Sequence, residues 1–416
     1  MRRAALVLAS LALLHCKKNE SGEGDLAKPQ DLRAPRDQAQ SGDLAGAKPD
    51  LGAAGGDLSV EPPDLLQPAL DLLGCTPRSA ALAVAAVGND KSLFTARFTN
   101  AGGWTQKLTS TQVSVEELAA RGTGKRLGVA VRETGNQLSA GLEVDCEGFS
   151  PQLVPLPSAS TPVRPALRLA SANDVVFRGA INDDHRYYVQ RFGATGASAA
   201  VTQGNLLSLT TPALYGTADD VGLVFTADDG KLYDGTTSGS GGSATVISGA
   251  TSTRPPALVE LAGGSLLVVF LGDDTNVYFT RRTGSTWSAP KSLCEGQSSC
   301  LISSHQPPTL TLDSLGNAVA LWIGKDPADQ SLDKGVYAAL FDSGTSLFGA
   351  AAEVTSEVTH DPVAAAPGID GASVEVAWVR DGDGFLRHGR LVGTWQAPTT
   401  VEAKAFRTRP ELVLLP

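Results

Sequence analysis

From about residue 76 onward, short apolar runs alternate with polar turns. One stretch shows the pattern in full. It begins at Arg254-Pro255-Pro256-Ala257-Leu258-Val259-Glu260-Leu261 and continues with Ser265-Leu266-Leu267-Val268-Val269-Phe270. An acidic turn, Gly272-Asp273-Asp274, leads to Asn276-Val277-Tyr278-Phe279-Thr280, and the stretch closes at Gly284-Ser285-Thr286-Trp287. Short runs rich in β-branched and aromatic residues, bounded by Gly, Asp, Asn or Ser, predict four strands joined by tight hairpins.

The unit recurs along the chain. An anchor in its second strand returns at Ala86, Val131, Phe177, Phe225, Phe270, Trp322 and Trp378. The turn that follows returns as Asn89-Asp90, Gly135-Asn136, Asp183-Asp184, Asp228-Asp229-Gly230, Asp273-Asp274, the run from Asp326 to Asp329, and Asp381-Gly382-Asp383-Gly384. An aromatic opens the last strand in several copies: Trp104, Phe149, Trp287, Phe348 and Trp395. Repetition at about 45 residues predicts an all-β, seven-bladed β-propeller of four-stranded antiparallel blades. The first unit lacks its opening strand, and the chain finishes on Thr408-Arg409-Pro410-Glu411-Leu412-Val413-Leu414-Leu415, which matches that missing pattern. The C-terminal strand is therefore expected to pair into the first blade and close the ring, leaving no open sheet edge.

The N-terminal part reads differently. Met1-Arg2-Arg3 precedes an apolar run from Ala4 to Leu14, too short to span a bilayer but suited to a signal-peptide core. It ends at Leu13-Leu14-His15-Cys16, which resembles a bacterial lipobox, although His15 stands where a small residue is usual. That resemblance implies a signal peptide over residues 1–15, lipidation of Cys16, and anchoring in the bacterial envelope; Lys17 after the cysteine resembles the outer-membrane sorting class. Residues 17–74 contain no aromatic residue, and Asp-Leu recurs at Asp43, Asp50, Asp57, Asp64 and Asp71. Pro49, Pro62, Pro63 and Pro68 break any helix, so the seven-residue step predicts a disordered tether over residues 16–75 rather than a coiled coil. The propeller is then expected over residues 76–416.

Composition narrows the function. The 416 residues carry 44 Asp plus Glu against 34 Lys plus Arg, a net charge of −10, which disfavours a nucleic-acid partner. Glycine, at 45 residues, serves turns and spacer. With Cys16 assigned to lipid, four cysteines remain, and an exported chain favours disulfides. Cys294 and Cys300 flank a short polar loop and are expected to pair, leaving Cys75 for Cys146, although four cysteines allow three pairings.

Three sets of residues could meet a ligand. Arg164, Thr211, Arg254, Gln306, Asp361 and Arg409 each stand just before a proline that leads into a first strand, so they are expected to ring one mouth of the central channel. Three arginines there could hold a carboxylate or sulfate, or could serve as a repeated lead-in device packed across blades. The acidic turns, with Asp381 and Asp383 foremost, could take calcium, or could simply supply hairpin residues that tolerate positive φ. Trp104, Trp287 and Trp395 open outer strands and could stack on sugar rings or cover blade edges. Apart from calcium at that turn, no cofactor is expected.

The Gly-x-Trp openings and Arg-Pro lead-ins resemble sialidase-like and fucose-lectin-like propellers, at the level of blade pattern only. Phe406-Arg407-Thr408-Arg409-Pro410 is loosely similar to the motif of the first sialidase arginine, while the full sialidase Asp-box is absent. The resemblance implies a monomeric, non-catalytic module that recognises carbohydrate. A sialidase-like hydrolase working at the channel mouth and an envelope protein scaffold are the alternatives.

Overall fold

A computed structural model describes residues 80–415, except 101, 124–125, 144–152, 170–172, 180–184, 194–195, 217–219, 238–241, 296–302, 326–332 and 372. The proposed signal peptide, Cys16, the tether, Cys75, Cys146, Phe149, Asp183, Asp184, Asp326 to Asp329 and Cys300 lie outside the described residues.

The second strand of each unit decides the architecture. Ala81–Val87, Leu266–Leu271, Ala318–Lys325 and Val374–Val379 are buried at every position. A strand buried on both faces reads as a continuous apolar run, because each face needs its own apolar partner. Successive residues accordingly serve opposite neighbours: Leu82, Val84 and Ala86 pack against one blade, and Ala83, Ala85 and Val87 against the other. Seven apolar clusters result, one at each junction between adjacent blades.

Seven antiparallel sheets carry these strands. Blade 1 is built from Glu411–Leu415, Ala81–Val87, Leu93–Thr99 and Gly103–Ser110, counted from the axis outward. Blades 2 to 7 begin with the innermost strands Val115–Thr123, Ala166–Leu169, Ala213–Tyr215, Ala257–Glu260, Thr309–Leu312 and Ala364–Pro367. Each innermost strand packs beside the next around a closed ring. Closure is made by the C-terminal strand, with Ala81 opposite Leu415 and Ala85 opposite Glu411.

The anchors are core. Phe177, Phe225, Phe270 and Trp322 each lie opposite a tyrosine of the third strand: Tyr188, Tyr233, Tyr278 and Tyr337. Each pair is stacked, with ring centroids 5.5 to 6.1 Å apart. In blade 7 the partner of Trp378 is Arg387, and both donate to Glu357, the indole Nε1 at 3.1 Å.

Two details differ from the simple pattern. The outer strand is broken in blades 3, 5, 6 and 7, where an aromatic-bearing or glycine-bearing piece such as Thr286–Trp287 precedes a separate piece such as Lys291–Ser292. At two of the breaks a serine hydroxyl takes over ladder duty: the Arg191 and Arg281 N–H groups donate to Ser198 Oγ and Ser288 Oγ, each at 3.1 Å. The acidic hairpins also work differently from expectation. Positive φ falls on the residue after the aspartate, at Lys91, Gly230, Thr275 and Gly384. Asp90, Asp229, Asp274 and Asp383 instead accept the N–H two residues on, at 3.0 to 3.2 Å, so the carboxylate shapes the turn as an Asx cap.

Asp90 also bridges the seam, since Lys404 of blade 7 donates to its Oδ2 at 2.7 Å. The Lys404 ammonium, helped by Ser92, holds the Asp90 carboxyl at about 2, below the ordinary 3.8. A carboxyl depressed by folding adds stability that is complete above its unfolded pKa and is lost as pH falls toward the folded value. Asp90→Asn should therefore flatten the loss of stability between pH 3.8 and about 2, measured by denaturant unfolding across that range. The group is 53% exposed, so an effect below about 1 kcal/mol is expected.

Candidate functional site

The chain crosses from each outer strand to the next innermost strand along the face that carries the acidic hairpins. Ser252 N–H donates to Gly230 O at 2.8 Å, and Asp381 N–H to Val358 O at 2.9 Å, which laces crossings to hairpins. A buried hydroxyl fixes the lead-in. Ser252 Oγ accepts from the Arg254 N–H and donates to the Arg254 carbonyl, both at 3.0 Å. Ser208, Ser304 and Thr161 make the same pair of bonds to Thr210, Gln306 and Val163, and Thr359 donates to the Asp361 carbonyl. All five hydroxyl residues are fully buried. Proline then holds the following chain extended.

The five locked crossings bring Arg164, Thr211, Arg254, Gln306 and Asp361 to the wall of one central cavity of about 550 Å3, and Arg409 lines the same wall. Glu117, Arg121 and Glu411 share that wall and were not singled out by the lead-in motif. The six lead-in residues do not act alike. Arg164 donates from Nε to Leu118 O at 2.6 Å and from Nη2 to the Glu411 carboxylate, so it reaches from blade 3 across blade 2 to blade 1. Arg409 Nε lies 3.5 Å and Arg121 Nη1 3.9 Å from the same carboxylate. Glu411 is buried. Burial, opposed by Glu411 and reinforced by Arg164 and Arg121, lowers Arg409 to about 10. Asp361 is pushed up by burial, then by Asp381, against the pull of His360. Thr211 Oγ1 donates to Arg164 O at 2.7 Å, while Arg254 and Gln306 engage the crossing through their main chains.

The calcium candidates are committed to protein partners. Asp383 pairs with Arg380 and caps its own turn, and Asp381 Oδ2 is 2.9 Å from His360 Nε2. Among the described residues, no group of three or more His, Cys, Asp or Glu is placed to hold a metal ion. Cys294 is buried beside Leu293 in the junction between blades 5 and 6.

The three tryptophans sit in clefts between blades, each half-buried. Trp395 packs into the junction of blades 6 and 7. Trp104 packs edge-on to His388, at 5.1 Å between centroids, and beside Phe98 at 5.3 Å; its buried Nε1 has no partner among the described residues. Trp287 is part of a polar assembly across blades 4 and 5. Its Nε1 donates to Asp234 Oδ2 at 3.1 Å, Arg282 Nη1 donates to the same oxygen at 2.6 Å, and Tyr215 Oη donates to Asp234 Oδ1 at 2.6 Å. The Arg282 guanidinium lies over the Tyr215 ring at 4.9 Å and over Trp287 at 5.9 Å. Burial and then Asp234 push the Tyr215 hydroxyl up to about 12, so it stays protonated as a donor. Burial works against the charge on Arg282, but Asp234 and Tyr215 outweigh it and raise its pKa. Only Trp287 of this group stood out in the sequence. Its partners lie in three other strands, and their spacing carries no local signal.

No protein-family model matches the chain, and no curated protein matches it. Solved structures do show similarity. AofleA from Arthrobotrys oligospora is 12% identical, with a TM-score of 0.43 over 67% of this chain and 87% of its own. The Aleuria aurantia fungal lectin, described as a six-bladed β-propeller with a novel fucose recognition mode, is 10% identical, with a TM-score of 0.44 over 70% and 98%. A protein of unknown function from Dyadobacter fermentans is 11% identical, with a TM-score of 0.44 over 76% and 96%. The present ring has seven blades.

The hydroxyl lock gives a direct test of how the cavity wall is held. Ser252→Ala leaves the Arg254 N–H without its buried acceptor and should cost about 1–3 kcal/mol in denaturant unfolding. An unchanged midpoint would show that the lock does not bear on stability.

Proposed function

We propose that the chain is a lipid-anchored, non-catalytic propeller of the bacterial envelope that binds carbohydrate in the cleft between blades 4 and 5. The observation that carries the binding site is the assembly of Tyr215, Asp234, Arg282 and Trp287. Asp234 orders a guanidinium, an indole N–H and a phenol on one carboxylate, and the side chains of Asp234 and Arg282 are 13% and 19% exposed. A half-buried indole beside such a fixed charge pair offers an apolar face and directional partners together, which suits a ring bearing hydroxyls. Preorganisation favours binding, since few side chains must be ordered when the ligand arrives.

A hydrolase in the central cavity would need a free nucleophile beside the arginines. Glu411 is the wall carboxylate that the arginines face, and Arg164, Arg121 and Arg409 already occupy its field. The anchor rests on Leu13-Leu14-His15-Cys16, and the pairing of Cys294 with Cys300 remains part of the same proposal for an exported chain.

A glycan array probed with residues 76–416, including fucosides, should give saturable binding to a subset of glycans. Trp287→Ala should weaken that binding by about tenfold or more while the protein stays folded. Absence of glycan binding by the folded protein would overturn the carbohydrate assignment, and capture of an envelope protein instead would favour the scaffold alternative. Separately, Cys16→Ser should shift the chain from the membrane to the soluble fraction on cell fractionation. Retention in the membrane would remove the lipid anchor.

A further inference from the structure

The central cavity is independent of the tryptophan cleft and poses its own electrostatic problem. Arg164, Arg121 and Arg409 come from blades 3, 2 and 1, and all three face the one carboxylate of Glu411. One negative charge against three positive charges leaves an excess of two within this cluster, and an excess of one remains over the whole wall once Arg254, Glu117 and Asp361 are counted. Among the described residues, neither Glu117 nor Asp361 pairs with one of the three arginines. Glu117 pairs with Arg132 at 3.1 Å, and the charges that act on Asp361 are those of Asp381, His360 and Glu117.

Unused donors point the same way. Arg164 is committed to Leu118 O and Glu411. Arg121 is more loosely held: apart from Glu411 at 3.9 Å, among the described residues it donates only to Ala120 O, and its side chain is 56% exposed on the cavity wall. Arg409 Nε, 3.5 Å from the Glu411 carboxylate, is sealed from solvent and makes no hydrogen bond among the described residues. A guanidinium carries five N–H donors in a rigid fork, matched to two oxygens of an oxyanion. Arg409 is lowered only to about 10, so it stays charged at neutral pH and its repulsion from Arg121 persists.

We infer that the central cavity binds a small oxyanion of sulfate, phosphate or carboxylate type between Arg121 and Arg409, beside the Arg164–Glu411 pair. The bound anion supplies the missing negative charge and ties the C-terminal strand of blade 1 to the innermost strand of blade 2. Glu411 competes for the same guanidiniums, so anion affinity is set against it. Binding to the folded ring alone raises its stability in proportion to ligand saturation.

Calorimetric titration and thermal unfolding of the full chain, with sulfate, phosphate and acetate against chloride at equal ionic strength, test this. The expected result is saturable binding of at least one oxyanion, with a dose-dependent rise in Tm that chloride does not give; the responding anion distinguishes tetrahedral from planar chemistry. Arg121→Gln should weaken binding by about tenfold or more, the loss of one charge-assisted contact. Glu411→Gln should strengthen it, because it removes the competing carboxylate. Three results would each overturn the inference: no saturable binding of any of the three oxyanions, binding unchanged in folded Arg121→Gln, or weaker binding in folded Glu411→Gln. Should Glu411→Gln fail to fold, the native titration and Arg121→Gln decide alone.

Discussion

The pairing of Ala81–Val87 with Glu411–Leu415 is the contact on which the rest of the ring depends. Every blade is stabilised through two junctions, and each junction requires a neighbour on both sides. Without the C-terminal strand, blade 1 would lose its innermost strand, and the apolar clusters on both its flanks would lose Leu412, Val413 and Leu415. The backbone groups of Ala81–Ala85 would also become an open edge. Because this contact joins the two ends of the propeller, its loop-closure entropy is met only when most of the chain is already in place. Polar links reinforce the seam on both sides, through Lys404 to Asp90 and through Arg407 to Glu116 at 2.8 Å.

Much of this was legible because a propeller repeats one physical environment. Strand two is buried on both faces in every blade, so it reads as an uninterrupted apolar run whose anchors count the blades. The missing first strand and the orphan last strand disclosed closure, since an unpaired strand at each end of a repeat array has few other solutions. Turn residues were legible as turns, but not in their roles. The eye is drawn to aspartate as a residue that tolerates unusual φ, whereas Asp90, Asp229 and Asp274 hold the turn by accepting a hydrogen bond and pass the positive φ to the next residue. Thr275 bears it in one blade despite its branched side chain, a position sequence preference alone would not assign.

The site was less legible for a definite reason. A motif is visible when its parts share one strand or one hairpin. Thr161, Ser208, Ser252, Ser304 and Thr359 did carry a local signal, a hydroxyl three or four residues before five of the six lead-in prolines, which the arginines overshadowed. Arg121 and Glu411 carried none. Glu411 is the one charge of its strand and Arg121 the one cation of a strand that also holds Glu116 and Glu117, and each gains meaning only when innermost strands from three blades are set side by side. The same holds for Asp234, which lies on the third strand of blade 4 and serves Arg282 and Trp287 of blade 5.

The charges on the axis can then be understood as a limit set by closure itself. Seven equivalent lead-in positions face one another across a narrow channel, and seven arginines there would repel strongly. The wall instead mixes Arg164, Thr211, Arg254, Gln306, Asp361, Arg409 and Glu117, which keeps opposite signs interspersed. Repeat-wide mixing cannot neutralise every local cluster, however. At about 4 Å and an effective dielectric near 20, a pair of like charges costs on the order of 4 kcal/mol. The cluster of Arg121, Arg164 and Arg409 is anchored on Glu411, a residue of the strand that closes the ring, so any residual repulsion acts directly on the closing contact. A counter-charge in the cavity would therefore do more than occupy a pocket: it would relieve strain at the one seam that the fold cannot do without.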